Sequence, residues 1–376
     1  MTPDISRRNF LRNGLAAAAG VAASGIVLPQ AVQAAGKDEL CTVLDLSKCI
    51  GCEACVDACR EQWQSTVPDP VRPIPQPFPA RVPVQDWSRR KDVQDRLTPY
   101  NFLYVEHLNL KHKGQEMELH VPRRCMHCSN PPCANLCPFG AGRVEKSGVV
   151  HIDPEVCLGG AKCKQVCPWQ IPQRQSGVGV YLDLMPSYAG NGVMFKCHRC
   201  LPLLKKGQQP RCVQECPQQV QSIGPRERML AQAQDLARAK AAADGVSPER
   251  WREYVYGLSE NGGTNTIYVS PMPFKEISAA IAQDRQAQPR RGQGQRAAAR
   301  QGSRGPGAAA SQGGRGLRAG MGGRPLMGPV DNTMASAENL TKALFLAPLA
   351  GLAAGFTRLF GSKKPPQGET KEAPHG

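Results

Sequence analysis

Fifteen of the sixteen cysteines fall into four tight blocks, and the spacing inside those blocks constrains the fold more than any other feature of the chain. Block one is Cys49, Cys52, Cys55 and Cys59, and block two is Cys125, Cys128, Cys133 and Cys137. Block three is Cys157, Cys163 and Cys167, and block four is Cys197, Cys200, Cys212 and Cys216. Pro138, Pro168 and Pro217 follow the last cysteine of blocks two, three and four and redirect the chain there. A cube of four irons and four sulfides offers four iron corners. A loop with Cys at every third position wraps three corners, and a fourth thiolate three residues later, at the start of a helix, is aimed away. Zinc asks for four ligands, usually in two Cys-x2-Cys knuckles, which block one does not supply. Disulfides inside Cys-x2-Cys-x2-Cys runs would be strained. Only 5% of the 376 residues are aromatic, so a large conventional core is not expected, and metal centres should help hold the fold. No P-loop, no G-x-G-x-x-G after a strand and no C-x-x-C-H haem motif is present.

In two-cluster ferredoxins the fourth thiolate of each block ligates the other cluster. Blocks two and three are joined by a short link, Arg143 to Ile152, which alternates around Lys146-Ser147-Gly148 and reads as a hairpin. It looks like the connection between the halves of such a ferredoxin, which leaves blocks one and four for each other. The expected ligand sets are Cys49, Cys52, Cys55 with Cys216, and Cys197, Cys200, Cys212 with Cys59. The inner pair is Cys125, Cys128, Cys133 with Cys167, and Cys157, Cys163 with Cys137. The last set is one thiolate short, because Gly160 stands where the second Cys of block three would fall. Cys41 opens an alternating stretch to Asp45 that reads as a first strand, with its thiol in the core. His127 and His198 lie inside the cysteine loops and are expected to tune potential rather than to ligate.

Four blocks with this nesting resemble the iron–sulfur subunits of the dimethyl sulfoxide reductase type. That group includes formate dehydrogenase beta subunits, polysulfide reductase, the nitrite-reduction ferredoxin and the iron–sulfur subunit of hydrogenase-2. The resemblance rests on Cys49-Ile-Gly-Cys-Glu-Ala-Cys55, Cys125-Met-His-Cys128, Cys167-Pro-Trp-Gln-Ile-Pro172 and Pro210-Arg-Cys-Val-Gln-Glu-Cys-Pro217, and it covers about residues 41–275. It departs at Arg60, where small ferredoxins have Pro, and at Gly160. Tyr254 to Gly257, Gly262 to Thr264 and Tyr268-Val269 resemble the segment that in these families leads toward a membrane partner. The resemblance implies three 4Fe–4S clusters and one 3Fe–4S cluster held by Cys137, Cys157 and Cys163. Related subunits that lose the equivalent Cys hold such a cluster. An empty fourth site and recruitment of Cys41 are the alternatives.

Residues 5–12, Ile-Ser-Arg-Arg-Asn-Phe-Leu-Arg, resemble a twin-arginine export signal. An Ala- and Gly-rich run from Gly14 to Leu28 follows, then a small-residue cleavage site at Val32-Gln33-Ala34. That route exports folded proteins, which suits a chain whose centres are inserted in a reducing compartment. Val67 to Val84 holds seven Pro and reads as an extended surface loop, and Pro225 to Ala243 has helical spacing. The formal net charge is +16, but nine Arg and no acid lie between Arg285 and Val330, inside a tract over 276–338 rich in Gly, Ala, Gln and Arg. That tract is expected to be a disordered tether spanning on the order of 40 Å. It has no aromatic side chain for stacking bases, so nucleic-acid binding is not expected. Ala343 to Phe356 is uncharged but gives only ~21 Å of helix. Leu340 to Phe360 reaches ~31 Å if Lys342 and Arg358 snorkel, enough for a ~30 Å hydrocarbon core. An amphipathic or partner-packed helix is the alternative.

The expected fold class is α+β: two nested ferredoxin-like dicluster units with loop insertions, a disordered basic linker and a C-terminal apolar helix. The divisions are a signal peptide over 1–34 and a four-cluster domain over 35–275, with an outer unit at 41–60 plus 196–224 and an inserted unit at 125–172. The linker follows over 276–338, then a membrane anchor over 339–361 and a polar tail over 362–376. No nucleophile–base arrangement, molybdopterin motif or nickel-ligand pair is present, so no catalytic residue is expected. The expected function is a periplasmic electron relay at the inner membrane. It would link a periplasmic hydrogenase- or cytochrome-type partner to a multi-helix, quinone-reactive membrane subunit. The alternative is a relay in a molybdopterin reductase or formate dehydrogenase complex. In those relatives the catalytic subunit usually carries the export signal, and a signal on this chain favours the hydrogenase-2 type.

Overall fold

The structure is a computed structural model that describes residues 38–78, 82–184, 191–287 and 322–336. The signal peptide over 1–34, the anchor over 339–361 and the tail over 362–376 lie outside the described residues. Among the described residues no helix is long and apolar enough to cross a membrane.

The chain opens with strand β1 (Leu40–Asp45), and after block one begins it forms helix α1 (Ala54–Trp63). A long hairpin follows, β2 (Tyr104–His112) and β3 (Gln115–Arg123), in continuous antiparallel register from Tyr104↔Arg123 to His112↔Gln115. The inner blocks bring α2 (Pro132–Asn135), the short hairpin β4 (Gly142–Val144) and β5 (Val150–Ile152), and α3 (Lys162–Val166). Then come β6 (Gln173–Gln175), α4 (Tyr181–Leu184), β7 (Val193–Phe195), α5 (Leu201–Leu204) and α6 (Arg211–Gln214). The chain closes with β8 (Gln221–Pro225), α7 (Arg226–Ala243), β9 (Val255–Tyr256), β10 (Thr266–Val269) and α8 (Phe274–Ala287). The expected first strand, the inner hairpin and the helix behind Pro225 are all present.

One four-stranded sheet, in the order β8-β1-β10-β9, ties the ends of the outer unit together. β1 leads into block one and β8 leaves block four, and the two pair antiparallel with Cys41 opposite Gly224. β10 joins β1 in parallel, so the segment after block four completes the sheet. Helix α7 lays Met229, Ala233, Ala237 and Ala241, one turn apart, against Cys41, Val43, Ile267 and Val269. Small Ala side chains let that helix sit close to the sheet. Cys41 is fully buried here, and burial pushes its thiol up to about 11.

One expectation is extended and one needs correction. The stretch from Val67 to Val84 has no regular strand or helix among its described residues, but it is more than an exposed loop. It straps the inner unit: Val71 N donates to Gly177 O, and Phe78 N donates to Asn191 Oδ1 while Asn191 Nδ2 donates back to Phe78 O. The basic tract expected to be disordered over 276–338 is ordered at both ends. Its first residues continue α8, which buries Ile277 and Ile281 one turn apart. Residues 322–336 fold back onto the domain, with Met327 buried in the main core. The physical reason is Glu106, whose side chain on β2 is fully buried. It accepts from Arg285 at 2.5 Å and from Arg324 at 2.8 Å. Burial alone would raise this carboxyl; the Arg285 hydrogen bond and the charges of Arg285, Arg123 and Arg324 outweigh it and hold it below its ordinary value.

The hairpin tip is clamped by His112. Its Nε2 lies 2.8 Å from Asp244 Oδ1 at the end of α7, and its Nδ1 lies 2.7 Å from Glu276 Oε2 on α8. Lys113 and Tyr254 also reach Asp244. The Asp244 hydrogen bond raises the imidazole pKa; burial opposes it, and the Glu276 hydrogen bond and the two carboxylate charges outweigh that opposition. A group raised on folding stabilises fully below its unfolded value, and that contribution fades as pH climbs through the folded value. His112→Gln should therefore lower the melting temperature by a few degrees near pH ~6, on the order of 1 kcal/mol, and by progressively less toward pH ~9. Calorimetry of both proteins across that range measures the difference. An equal loss at both ends would show that the clamp does not depend on the charged ring.

Candidate iron–sulfur centres

Local backbone geometry decides where the thiols point. In the first block Gly51 (φ 70°) and Glu53 (φ 59°) are left-handed on either side of Cys52, so the loop curls tightly before α1 starts at Ala54. Cys55 and Cys59 then sit one helical turn apart on the buried face of α1. Left-handed residues recur at His127, at Gly159 and Ala161, and at Arg199 and Cys200, inside the other cysteine loops.

The structure gathers the thiols into separate sites. Cys49, Cys52, Cys55 and Cys216 line one cavity with Ile50 and Pro217. Cys59, Cys197, Cys200 and Cys212 line a second with Trp63 and Arg124. Cys125, Cys128, Cys133 and Cys167 line a third with Trp169 and Lys196. The three are nearly equal in size, as expected if each takes the same kind of group. Each combines three thiols from one block with one from a distant block. Cys137, Cys157 and Cys163 come together in a fourth place, packed with Ala141, Val178 and Met194.

These surroundings suit metal-bound thiolates. All sixteen cysteines are free, which removes the disulfide reading. Burial pushes several of the thiols up, to about 12 for Cys167 and Cys200 and about 11 for Cys133, so these ionise only with a cation to meet them. Nitrogen donors already face the sulfurs. Trp63 Nε1 is 3.1 Å from Cys200 Sγ, Val220 N is 3.3 Å from Cys216 Sγ, and Met194 N is 3.4 Å from Cys157 Sγ.

The sites form a row, and buried cations mark its joints. Arg124 donates to Cys212 Sγ at 2.8 Å. Burial works against its charge, but Cys212, Cys197 and, across the joint in the first cavity, Cys55 more than offset that. Lys196 Nζ lies 3.5 Å from Cys125 Sγ and bonds Cys197 O at 3.1 Å, placing it between the second and third cavities. Its charge too is favoured, against burial, by Cys125, Cys133 and Cys197. At the far end Cys163 lies within electrostatic reach of Cys133 in the third site and of Cys157 and Cys137 in its own. Arg174 and Lys164 stand beside Cys163, and burial pulls Lys164 down to about 8.

His127 is buried and held neutral: its Nδ1 accepts from Val150 N, which leaves Nε2 as the N–H facing Cys197 Sγ at 3.9 Å. His198 accepts from Leu201 N and meets Trp63 edge-on at 4.4 Å, and burial brings it down to about 4. Cys41 lies in the core between sheet and α7, apart from the row.

Gly160 occupies the register of Cys52. Gly159 (φ 65°) and Ala161 (φ 57°) flank it as Gly51 and Glu53 flank Cys52, and α3 begins two residues later as α1 does. Gly159 must lack a side chain, since a Cβ there would fall 2.3 Å from Gly192 O. Gly160 is under no such constraint: its φ is ordinary, and a Cβ would meet only Phe139 at 3.6 Å. Steric need therefore does not explain the missing thiol.

Residues 116–226 and residues 48–141 each match the description "4Fe-4S dicluster domain", and two such domains imply four clusters. The chain is 28% identical over 305 residues to "Hydrogenase-2 operon protein HybA" of Escherichia coli O157:H7, covering 73% of this chain and 83% of that one. It is 27% identical over 237 residues to "Formate dehydrogenase, nitrate-inducible, iron-sulfur subunit" of Escherichia coli (strain K12), covering 62% and 68%. It is 28% identical over 215 residues to "Thiosulfate reductase electron transfer subunit PhsB" of Salmonella typhi, covering 56% and 90%.

The buried ammonium between the second and third cavities favours extra negative charge on either side. Lys196→Met keeps the length of the side chain and removes the charge. Redox titration of the loaded protein should show at least one centre moving to more negative potential by ~50–100 mV. Unchanged midpoints would show that the charge is compensated elsewhere.

Proposed function

Because the chain belongs to the four-cluster iron–sulfur subunits built on paired 4Fe-4S dicluster domains, we propose that it relays electrons inside a multi-subunit oxidoreductase and has no substrate site of its own. The observation that carries this reading is the row of four thiol sites joined by buried cations. When bound, the clusters supply one-electron redox chemistry. The protein holds the thiolates in place, keeps water from most of them and offsets their charge. The proposed ligands are Cys49, Cys52, Cys55 and Cys216; Cys59, Cys197, Cys200 and Cys212; Cys125, Cys128, Cys133 and Cys167; and Cys137, Cys157 and Cys163. Both ends of the row carry exposed apolar side chains, Ile50 at the first site and Leu136 and Phe139 beside Cys137 at the last. These suit docking surfaces where electrons enter and leave.

We assign the three-thiolate site a 3Fe–4S cluster, since a cube needs a fourth ligand and Gly160 offers none. The loaded, air-oxidised protein should show one spin of a sharp paramagnetic resonance near g ~2, hold about fifteen irons and take up about four electrons on reductive titration. Gly160→Cys, which the local space allows, should abolish the signal and add one iron. About sixteen irons without the signal in the wild type would overturn the three-iron assignment. Iron for a single cluster would overturn the relay itself.

The partners are a periplasmic hydrogenase or cytochrome on one side and a quinone-reactive membrane subunit on the other. The likeness to the hydrogenase-2 operon protein over most of both chains supports this. A formate dehydrogenase or molybdopterin reductase complex is the second reading, supported by the formate dehydrogenase subunit's likeness. The proposed location is the periplasmic face of the inner membrane, reached through the signal at Ser6 to Leu11 and secured by residues 339–361. Replacing Arg7 and Arg8 by Lys should leave the precursor in the cytoplasm, as immunoblots of cell fractions would show. Normal export of that variant would point to another route.

A further inference from the structure

The β2–β3 hairpin brings together side chains that the cysteine sites do not use. His107 and His120 are directly opposed across the hairpin, and their Nδ1 atoms lie 3.0 Å apart. Opposed residues of an antiparallel pair hold their Cβ atoms ~4.5–5.5 Å apart, a spacing at which two imidazoles can grip one ion. Glu118, two residues before His120 and so on the same face of β3, brings a carboxylate oxygen 3.7 Å from His120 Nε2. One ligand atom from each of His107, Glu118 and His120 lies within 4.8 Å of the others.

Two further contacts turn this cluster into a prepared site. Glu53 Oε1 lies 2.9 Å from His107 Nε2. A carboxylate there accepts a hydrogen bond from the Nε2–H and so leaves Nδ1, the atom facing His120, with a free lone pair to ligate. Metal-binding histidines are commonly oriented in this way. His120 is itself fixed by packing: a Cβ on Gly51 would come 2.8 Å from its ring, so the imidazole rests on the loop between Cys49 and Cys52. The other two groups are open to water, with side-chain exposures of 45% for His107 and 60% for Glu118. An ion bound there would keep water in its remaining positions.

We propose that His107, His120 and Glu118 form a divalent-metal site of the zinc class, oriented by Glu53 and seated on the cysteine loop of the first cavity. Two imidazoles and one carboxylate suit Zn2+ and neighbouring borderline ions. Mg2+ and Ca2+ favour oxygen-only shells. The site is distinct from the four thiol centres and shares no ligand with them.

The test uses cluster-loaded, untagged protein, titrated anaerobically with Zn2+ in a calorimeter while the visible absorption of the clusters is followed. One saturable site should appear with the absorption unchanged. His107→Gln and Glu118→Gln alter exposed side chains and leave the fold intact; each should weaken Zn2+ at least ~10-fold. His112→Gln, the other carboxylate-flanked histidine on this hairpin, should bind Zn2+ as the wild type does. Absence of a saturable site, equal affinity in the His107 variant, or heat that appears only as the clusters bleach would each overturn the proposal.

Discussion

Everything in this molecule answers to one electrostatic demand, the burial of a row of thiolates close to one another. Thiolates in a low-dielectric interior repel, and each is costly to desolvate. The chain meets this in two ways. Iron is the first, and the raised thiols show why the sites are incomplete without it. Fixed cations at the joints are the second. Arg124 and Lys196 are both buried, and an isolated buried cation would be as costly as an isolated thiolate. Each makes the other tolerable, so the cations are as much part of the sites as the cysteines.

The same demand shapes the fold. Three thiols of each four-thiol site are local and the fourth comes from a distant block, so no site can close until distant segments meet. Cys59 and Cys216 exchange blocks in this way, and the pairing of β1 with β8 brings their segments together. The apolar core is correspondingly divided, with Ala-rich packing under α7 and aromatic packing of Tyr100, Phe102 and Trp87 beside the second site. The thiol sites stand between these smaller cores.

The sequence was most readable where chemistry forces spacing. The cysteine blocks, the hairpin around Ser147, the strand at Cys41 and the helix after Pro225 all follow from local pattern. The β2–β3 hairpin was not foreseen, although Lys113-Gly114 between two alternating runs is a turn signal; both residues take positive φ. Its histidines, thirteen positions apart, carry no local motif that groups them. Nor could local pattern place residues 322–336. Their docking depends on Arg324 meeting a carboxylate 218 positions away, and nothing in an Arg- and Gly-rich tract marks which Arg has such a partner. The strap after Val67 was legible as extended chain, but its partner at Asn191 was not, for the same reason.

The pairing of Arg285 and Arg324 on one carboxylate changes what the basic tract can be. Arg285 near the end of α8 and Arg324 both meet Glu106 on β2, so the described residues on either side of the tract are held at one point of the domain. Whatever follows Ser336 starts from the body of the domain. Three residues lie between Ser336 and Leu340, and the four Cα–Cα steps of fully extended chain reach at most ~14 Å. If the apolar run beyond Leu340 lies in a bilayer, the iron–sulfur domain rides against the headgroups. Its orientation there is then set by which face carries Ser336, and a longer basic tract would not lift it away.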